Sequence, residues 1–453
     1  MVGISRVKPR QAFENTFFGR LAYNGRMRLI LAALLPVCLV FAQAPVDSKD
    51  KIRLARQAAK GGPEAIAQLD PLLMDQDVEV RREAIKSLAS IGTQHGLDLL
   101  VRSTRDGDAE IQIRAVDALV NFYLPGYIST GLSATLKRAG TALSGAFRQD
   151  ENRDAVDPDT PVRPEIRAAL REIVINSQDN VVRANAARAL GILRDRDSVQ
   201  TLIEALRSKD DRLIFESLIA LQKIGDPASG PRVVFLMRDL VEKVQLAAIE
   251  TGGLLKAKDA VGELRRLLES GPEKKVRRAT VLALARIADP GSRELLSGFL
   301  RDKDEEVRAG AAEGIGRIAN PADFQALQSL FDGENKTVAR LAQCFAVVRL
   351  GSVDMSEMAP LRYLVNNLNS RSWQGIAQPY LGELMRVEAV RNAIYPALAS
   401  GTTVERSGMM MALAGCGAVD AIPQVERYVK DADIQVANAA TRALRILRAS
   451  TLK

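Results

Sequence analysis

One histidine, three cysteines and ten methionines set narrow limits on the chemistry open to this chain. His95 is followed by Gly96 and has no clustered acid beside it, so it offers no His-Glu metal pair, and no nucleophile elbow appears anywhere. Met409, Met410 and Met411 lie near Cys416, a set of soft donors that would suit copper. Helical spacing nevertheless sends Met409 and Cys416 to one apolar face, which is a packing role. Cys344 and Cys416 fall in repeat units two steps apart; with stacked helices about 8–10 Å apart, their Cα atoms lie beyond the roughly 7 Å that a disulfide tolerates. Both read as buried thiols. No cofactor is expected, and the chain reads as non-enzymatic.

Residue types suited to binding are better represented. Lys223, Arg286, Arg317 and Arg349 occupy equivalent places in successive units, interrupted by Leu254, and stacking would align them into a basic stripe that attracts an acidic partner. The competing account is that cations in a last helical turn simply favour the helix dipole. Tyr123 and Tyr127 belong to an irregular stretch, Asn121 to Arg163. There Ile128, Leu132, Leu136, Leu143 and Phe147 share one helical face, opposite Lys137 and Arg138. Such a helix could dock a partner or lie on a membrane surface; equally, it could pack on the stack as a degenerate repeat. Trp373, the only tryptophan, stands with Pro379 and Tyr380 in a second irregular stretch, as a binding anchor or as a packed core aromatic. The candidate partner-binding residues are therefore Lys223, Arg286, Arg317, Arg349, Tyr123, Tyr127 and Trp373.

A repeat of about 31 residues must position all of them. Taking Val80, Ile111, Val182, Leu213, Val244, Val276, Val307, Ala339, Glu405 and Val436 as position 0, a small residue recurs at +7 and a large aliphatic one at +8, with Gly252 the exception. Apolar or small residues at +4, +7, +8 and +11 form one helical face. Asp77, Asp108, Asp179, Asp210, Asp304 and Asp433 stand at −3, where they can cap this helix. Gly92, Gly225, Gly351 and Gly417 stop it. A preceding helix opens at Asp226-Pro227, Asp289-Pro290 or Asn320-Pro321, a capping side chain followed by proline at the first helical position. The fold class is thus all-α, a curved solenoid of about twelve helix-turn-helix units, with the second helix of each pair lining the concave side.

The run of Asp, aliphatic, frequent Arg, Ala and Ala/Ser-Leu resembles the HEAT-repeat superfamily over about residues 50–450, and most closely the short HEAT-like repeats of the phycobilisome (bilin) lyase type. The resemblance implies a ladder between neighbours built from a turn Asp and a helix Arg. Arg81, Arg183, Arg277, Arg308, Arg340 and Arg406 match that arginine at +1; Gln112, Ile214, Gln245 and Ala437 do not, so the ladder is expected to be broken in places. Deoxyhypusine hydroxylase, also of this superfamily, needs several His-Glu pairs that this chain lacks. A lyase-like or other catalytic solenoid acting on a cofactor or protein substrate is the alternative to a pure binding role.

The net charge of +8 does not make a nucleic-acid protein, because residues 1–44 hold six basic residues against Glu14 and leave only +3 for the rest. Those first residues have another explanation. Met27 and Arg28 precede an apolar run from Leu29 to Phe41 and an Ala42-Gln43-Ala44 exit, the pattern of a secretory signal peptide cleaved after Ala42 or Ala44. Residues 1–26 then lie upstream of the true start, 27–44 form the leader and 45–62 an N-terminal cap. Repeats occupy 63–120, an irregular repeat with an insertion 121–165, regular repeats 166–351, degenerate ones 352–400 and C-terminal ones 401–453. The sequence predicts a periplasmic or secreted scaffold that binds a protein partner and no nucleic acid. Membrane contact is expected only through residues 121–147 or an uncleaved leader.

Overall fold

A computed structural model describes residues 47–125, 155–157 and 160–450, and these contain helices and no strand. Among the described residues eleven helical pairs follow one another, preceded by a single helix that caps the stack. The second helices are labelled α1 to α12 here, α1 being the cap. They are α1 Ser48–Ala58, α2 Val78–Ile91, α3 Ala109–Tyr123, α4 Asn180–Ile192, α5 Asp211–Ile224 and α6 Glu242–Leu254. The series continues with α7 Lys274–Ile287, α8 Glu305–Ile318, α9 Thr337–Arg349, α10 Gln374–Leu384, α11 Thr403–Cys416 and α12 Ile434–Ser450. The leader, Tyr127 and the apolar face from Ile128 to Phe147 lie outside the described residues.

All six aspartates at −3 act as N-caps. Asp77 accepts from the Glu79 N–H at 2.9 Å, Asp108 from Ile111 at 3.1 Å, Asp179 from Val181 at 2.7 Å, Asp210 from Leu213 at 2.9 Å, Asp304 from Glu306 at 3.0 Å and Asp433 from Gln435 at 2.9 Å. Each such cap contributes about 1 kcal/mol. At the other end the chain turns left-handed at +12. Gly92, Gly225 and Gly417 do so with φ of 60°, 73° and 69°, but Arg194, Lys256, Ala288 and Ala319 take the same position with φ of 50° to 56°. The stack therefore imposes this turn even where the residue resists it.

Most outer segments begin as 3-10 turns, some with proline, as at Pro227, Pro290 and Pro321, and some without, as at Gln94–Gly96 and Arg196–Ser198. Asp226 caps the Ala228 N–H at 2.9 Å and Asn320 caps Ala322 at 3.1 Å, whereas Asp289 makes no such bond. Pro227–Arg238, with Pro231 inside, stays 3-10 throughout.

Glycine and alanine bring the second helices close together. A Cβ added at Gly191, Gly253 or Gly316, all at +9, would lie 2.5, 2.7 and 2.7 Å from the Cα of Ala220, Ala283 and Ala346, all at +7 of the next unit. Second helices contact their neighbours far more than outer segments do, so their layer has the shorter repeat distance and lies on the concave side. Gly252, the exception at +8, is compensated from outside the helix: the Met237 methyl occupies the missing side chain's place, 2.4 Å from where a Cβ would be.

Across the first irregular interval, which period arithmetic reads as two repeats, α3 packs directly on α4, while residues 126–154 lie outside the described residues. Buried Asp117 accepts from Asn185 at 3.1 Å across that junction, and Arg188 lies 3.4 Å from the same oxygen. The second irregular interval does hold two units, ending in α10 and α11.

The ladder exists, but its acid is at −5. Arg81 pairs with Asp106 at 2.9 and 3.0 Å, Arg308 with Glu334 at 2.8 and 2.9 Å, Arg277 with Asp302 at 3.2 Å and Arg406 with Asp431 at 3.4 Å. The −3 acids instead receive the arginine at +2, as in Arg82 to Asp108 at 2.7 Å and Arg278 to Asp304 at 2.9 Å. Arg183 has only Ser208 at the next −5 position and turns to the Val174 carbonyl at 2.8 Å. Arg340 stacks over Phe331 and Tyr363, 4.7 and 4.9 Å from the ring centres.

Candidate functional site

The C-terminal ends of the second helices point into the concave side, where position +10 was expected to form a basic stripe. Arg286, Arg317 and Arg349 do converge there. Together with Lys256 and Arg386 they line a recess of about 200 Å³, with Glu383 as the one acid in its wall. The recess adjoins a wider cleft of about 720 Å³, walled by Gly253 and Leu254 of α6 on one side and by Met411 and Ala412 of α11 on the other. Residues five units apart share one cavity because the stack curves.

The cations of the recess are not alike. Arg317 is fixed: its Nε and Nη2 donate to Glu383 at 3.0 and 2.9 Å, it pairs with Glu313, and it lies over the Phe345 ring at 5.4 Å. Burial works against its charge, but Glu313 and Glu383 outweigh that and hold it more firmly protonated than a free guanidinium. Beneath it, the Tyr380 hydroxyl donates to Glu313 at 2.6 Å while its ring stacks on Phe345 at 4.7 Å; burial and the adjacent Glu313 push its phenol well up. Arg286 lies 3.5 Å from Glu250. Lys256, Arg349 and Arg386 are exposed and form no ion pair among the described residues.

Lys223 does not belong to this row. It is only 4% exposed and does not line the recess; Arg194 donates to its backbone carbonyl at 2.8 Å and to the Val156 carbonyl at 3.0 Å. Tyr123 is half-buried; its ring meets Phe122 edge-on at 5.0 Å, and its hydroxyl accepts from the Arg163 N–H at 3.2 Å. It anchors the return of the inserted segment. Trp373 is half-buried against the core at the start of α10, away from the cleft wall, which that helix forms with Gly375, Gln378, Pro379 and Gly382. Lys256 and Arg386 escaped the sequence reading. The first sits at +12, where glycine was expected, and the second follows α10 in a stretch without legible register.

The remaining chemical candidates are scattered. His95 is exposed in an outer 3-10 turn, Met409 and Cys344 are fully buried, and Cys416 is half-buried. Among the described residues, no three His, Cys, Asp or Glu side chains gather as a metal site would require, and no helix is long and apolar enough to cross a membrane.

The HEAT repeats pattern matches residues 46–122, 167–253 and 262–346, more than half of the chain. The chain belongs to the HEAT-repeat family. No curated protein matches it. Among solved structures it is similar to an engineered protein, at 20% identity over 89% of this chain and 96% of that one, with a TM-score of 0.29. It is also similar to the karyopherin Kap121p, at 14% identity, 89% and 48% coverage and a TM-score of 0.39, so this HEAT protein spans about half the length of Kap121p. The complex of CpcE and CpcF of phycocyanin lyase from Nostoc sp. PCC7120 is similar at 19% identity, 59% and 92% coverage and a TM-score of 0.34.

Proposed function

We propose that this HEAT solenoid is an exported, non-enzymatic scaffold or adaptor that binds a protein partner along its concave surface, with the basic cleft as the principal contact. HEAT-repeat solenoids are suited to protein–protein interaction. One observation carries the reading: Lys256, Arg349 and Arg386 arrive from three separate units at one recess, exposed and without carboxylate partners among the described residues. Export rests on the leader-like residues 27–44.

Photo-crosslinking in the cell envelope tests both parts. A crosslinker replacing Gln378, which lines the cleft, should capture a discrete protein, and N-terminal sequencing of the solenoid from the same sample should begin at Gln43 or Pro45. Capture only from crosslinkers placed on the outer segments would remove the cleft from the proposal. An intact residue 1 or 27 at the N-terminus would remove export.

A further inference from the structure

The recess and the wider cleft share most of their charged lining, and the apolar surface that the wider cleft adds constrains what fits. The recess presents five cations and Glu383, a surplus of positive charge even though Arg286 and Arg317 have protein partners. The wider cleft shares Lys256, Arg286, Arg317, Glu383 and Arg386 with the recess and adds Leu254, Pro379 and Met411 beside Gln378, Gly253, Gly375 and Gly415, so an apolar surface lies next to the cations and the wall there is low. An isolated phosphate would satisfy the recess and leave the apolar part empty. A nucleic-acid strand would need aromatic faces for its bases, and neither part of the cleft is lined by an aromatic side chain. A protein segment fits both: clustered carboxylates reach the recess while a neighbouring aliphatic side chain rests on Leu254, Pro379 and Met411. Low walls leave room for its backbone.

We infer that the cleft receives an extended acidic protein segment, with two or more Asp or Glu side chains against Lys256, Arg349 and Arg386 and one aliphatic residue on the Leu254–Pro379–Met411 surface. This rests on the scaffold reading above and gives the partner's docking element its chemistry. Lys256, Arg349 and Arg386 would act on the approach as well as on the bound state, since unpaired cations steer an acidic partner and raise its association rate.

Fluorescence anisotropy of the purified full chain with labelled synthetic peptides tests the inference. The probes are a peptide of Asp and Glu around one Leu, the same peptide with Ser for Leu, and a Lys-rich peptide of equal length. Inorganic phosphate and a single-stranded oligothymidine serve as competitors. The acidic Leu peptide should bind, weaken with added salt, lose affinity several-fold with Ser, and lose at least about tenfold in an Arg349→Glu/Arg386→Glu double variant. Both arginines are exposed and without carboxylate partners, so the variant should keep its helical circular dichroism. Absent binding of the acidic peptide, with crosslinks still mapping to the cleft, overturns the inference and leaves the scaffold reading standing. Equal binding by the double variant overturns the site. Phosphate or oligothymidine displacing the peptide at lower concentration than unlabelled peptide overturns the segment in favour of a phosphate ligand.

Discussion

Helices α7, α8 and α9 each carry two arginines nine residues apart, and the two rows have opposite fates. At +1, near the helix starts, Arg277 and Arg308 meet acids of the next unit and Arg340 meets two aromatic rings. At +10, near the helix ends, Arg286 has one distant carboxylate, Arg317 two close ones, and Arg349 none. Residue type and spacing are identical in the two rows. What differs is the neighbour: the turn at −5 supplies an acid that also accepts the N–H of −3, as Asp302 does for Asp304 at 2.9 Å, whereas the helix ends open onto the cleft. Paired arginines hold the units together, and the unpaired one is left available to something outside the chain.

Arg317 lies between those fates, and removing it should have the largest effect. Arg317→Ala would leave Glu313, 7% exposed, beside the buried Tyr380 hydroxyl with no cation, at a cost of about 3–5 kcal/mol. Urea unfolding followed by circular dichroism measures this. A cost near zero would mean that Arg317 is a cleft cation like Arg349 and not a structural one.

The next pair of substitutions sets one row directly against the other. Arg308→Ala removes two charge-assisted bonds to Glu334 and should lower stability by about 1–3 kcal/mol while leaving acidic-peptide affinity unchanged. Arg349→Ala should change stability by less than about 0.5 kcal/mol and weaken the peptide several-fold. If both variants moved both quantities together, the division between the rows would collapse.

Acid should also separate the ladder from the cleft. Burial pushes the Asp304 carboxyl up, but Arg278 and the Glu306 N–H outweigh it and hold it down to about 2. Asp75 and Asp431 are held low by Lys51 and Arg406, and Glu334 is held low by Arg308 despite its burial. Folded-state values lie below the unfolded ones of about 4, so this stabilisation is complete above pH 4 and is lost as pH falls towards 2. Arg278→Ala should therefore move the acid-unfolding midpoint to higher pH, whereas Arg349→Ala should not move it. Thermal melts across that range give the comparison.

The contrast also explains which parts of the molecule were legible in the sequence. Caps at −3 and the core face at +4, +7, +8 and +11 are local, so a repeating pattern reveals them. The −5 acid was missed because it varies among Asp106, Glu334 and Asp431 and acts on a residue in the preceding unit. Between Ile111 and Val182 the adjacency of α3 and α4 is a matter of space that residue counts do not contain. Arg286, Arg317 and Arg349 were found because they share a register. Lys223 shares it too, yet is buried and does not line the recess. Arg386 has no register to share.

The smallest expected effect concerns two left-handed residues at +12. Arg194, with φ 50°, gains two hydrogen bonds, to the Val156 and Lys223 carbonyls, that offset its backbone strain. Lys256, with φ 51°, has no side-chain partner of that kind and points its charge at the recess. Arg194→Gly should therefore be neutral or destabilising, since relief of about 1 kcal/mol is cancelled by the lost bonds. Lys256→Gly should stabilise the fold by about 0.5–1 kcal/mol and weaken acidic-peptide binding. A strained residue that improves stability when removed and impairs binding is held in place by function. Ala319→Gly, at φ 56° and away from the cleft lining, supplies the reference: it should gain the same stability with no change in affinity. If Lys256→Gly behaved like Ala319→Gly in both measurements, the lysine would belong with the scaffold and the cleft would lose a cation.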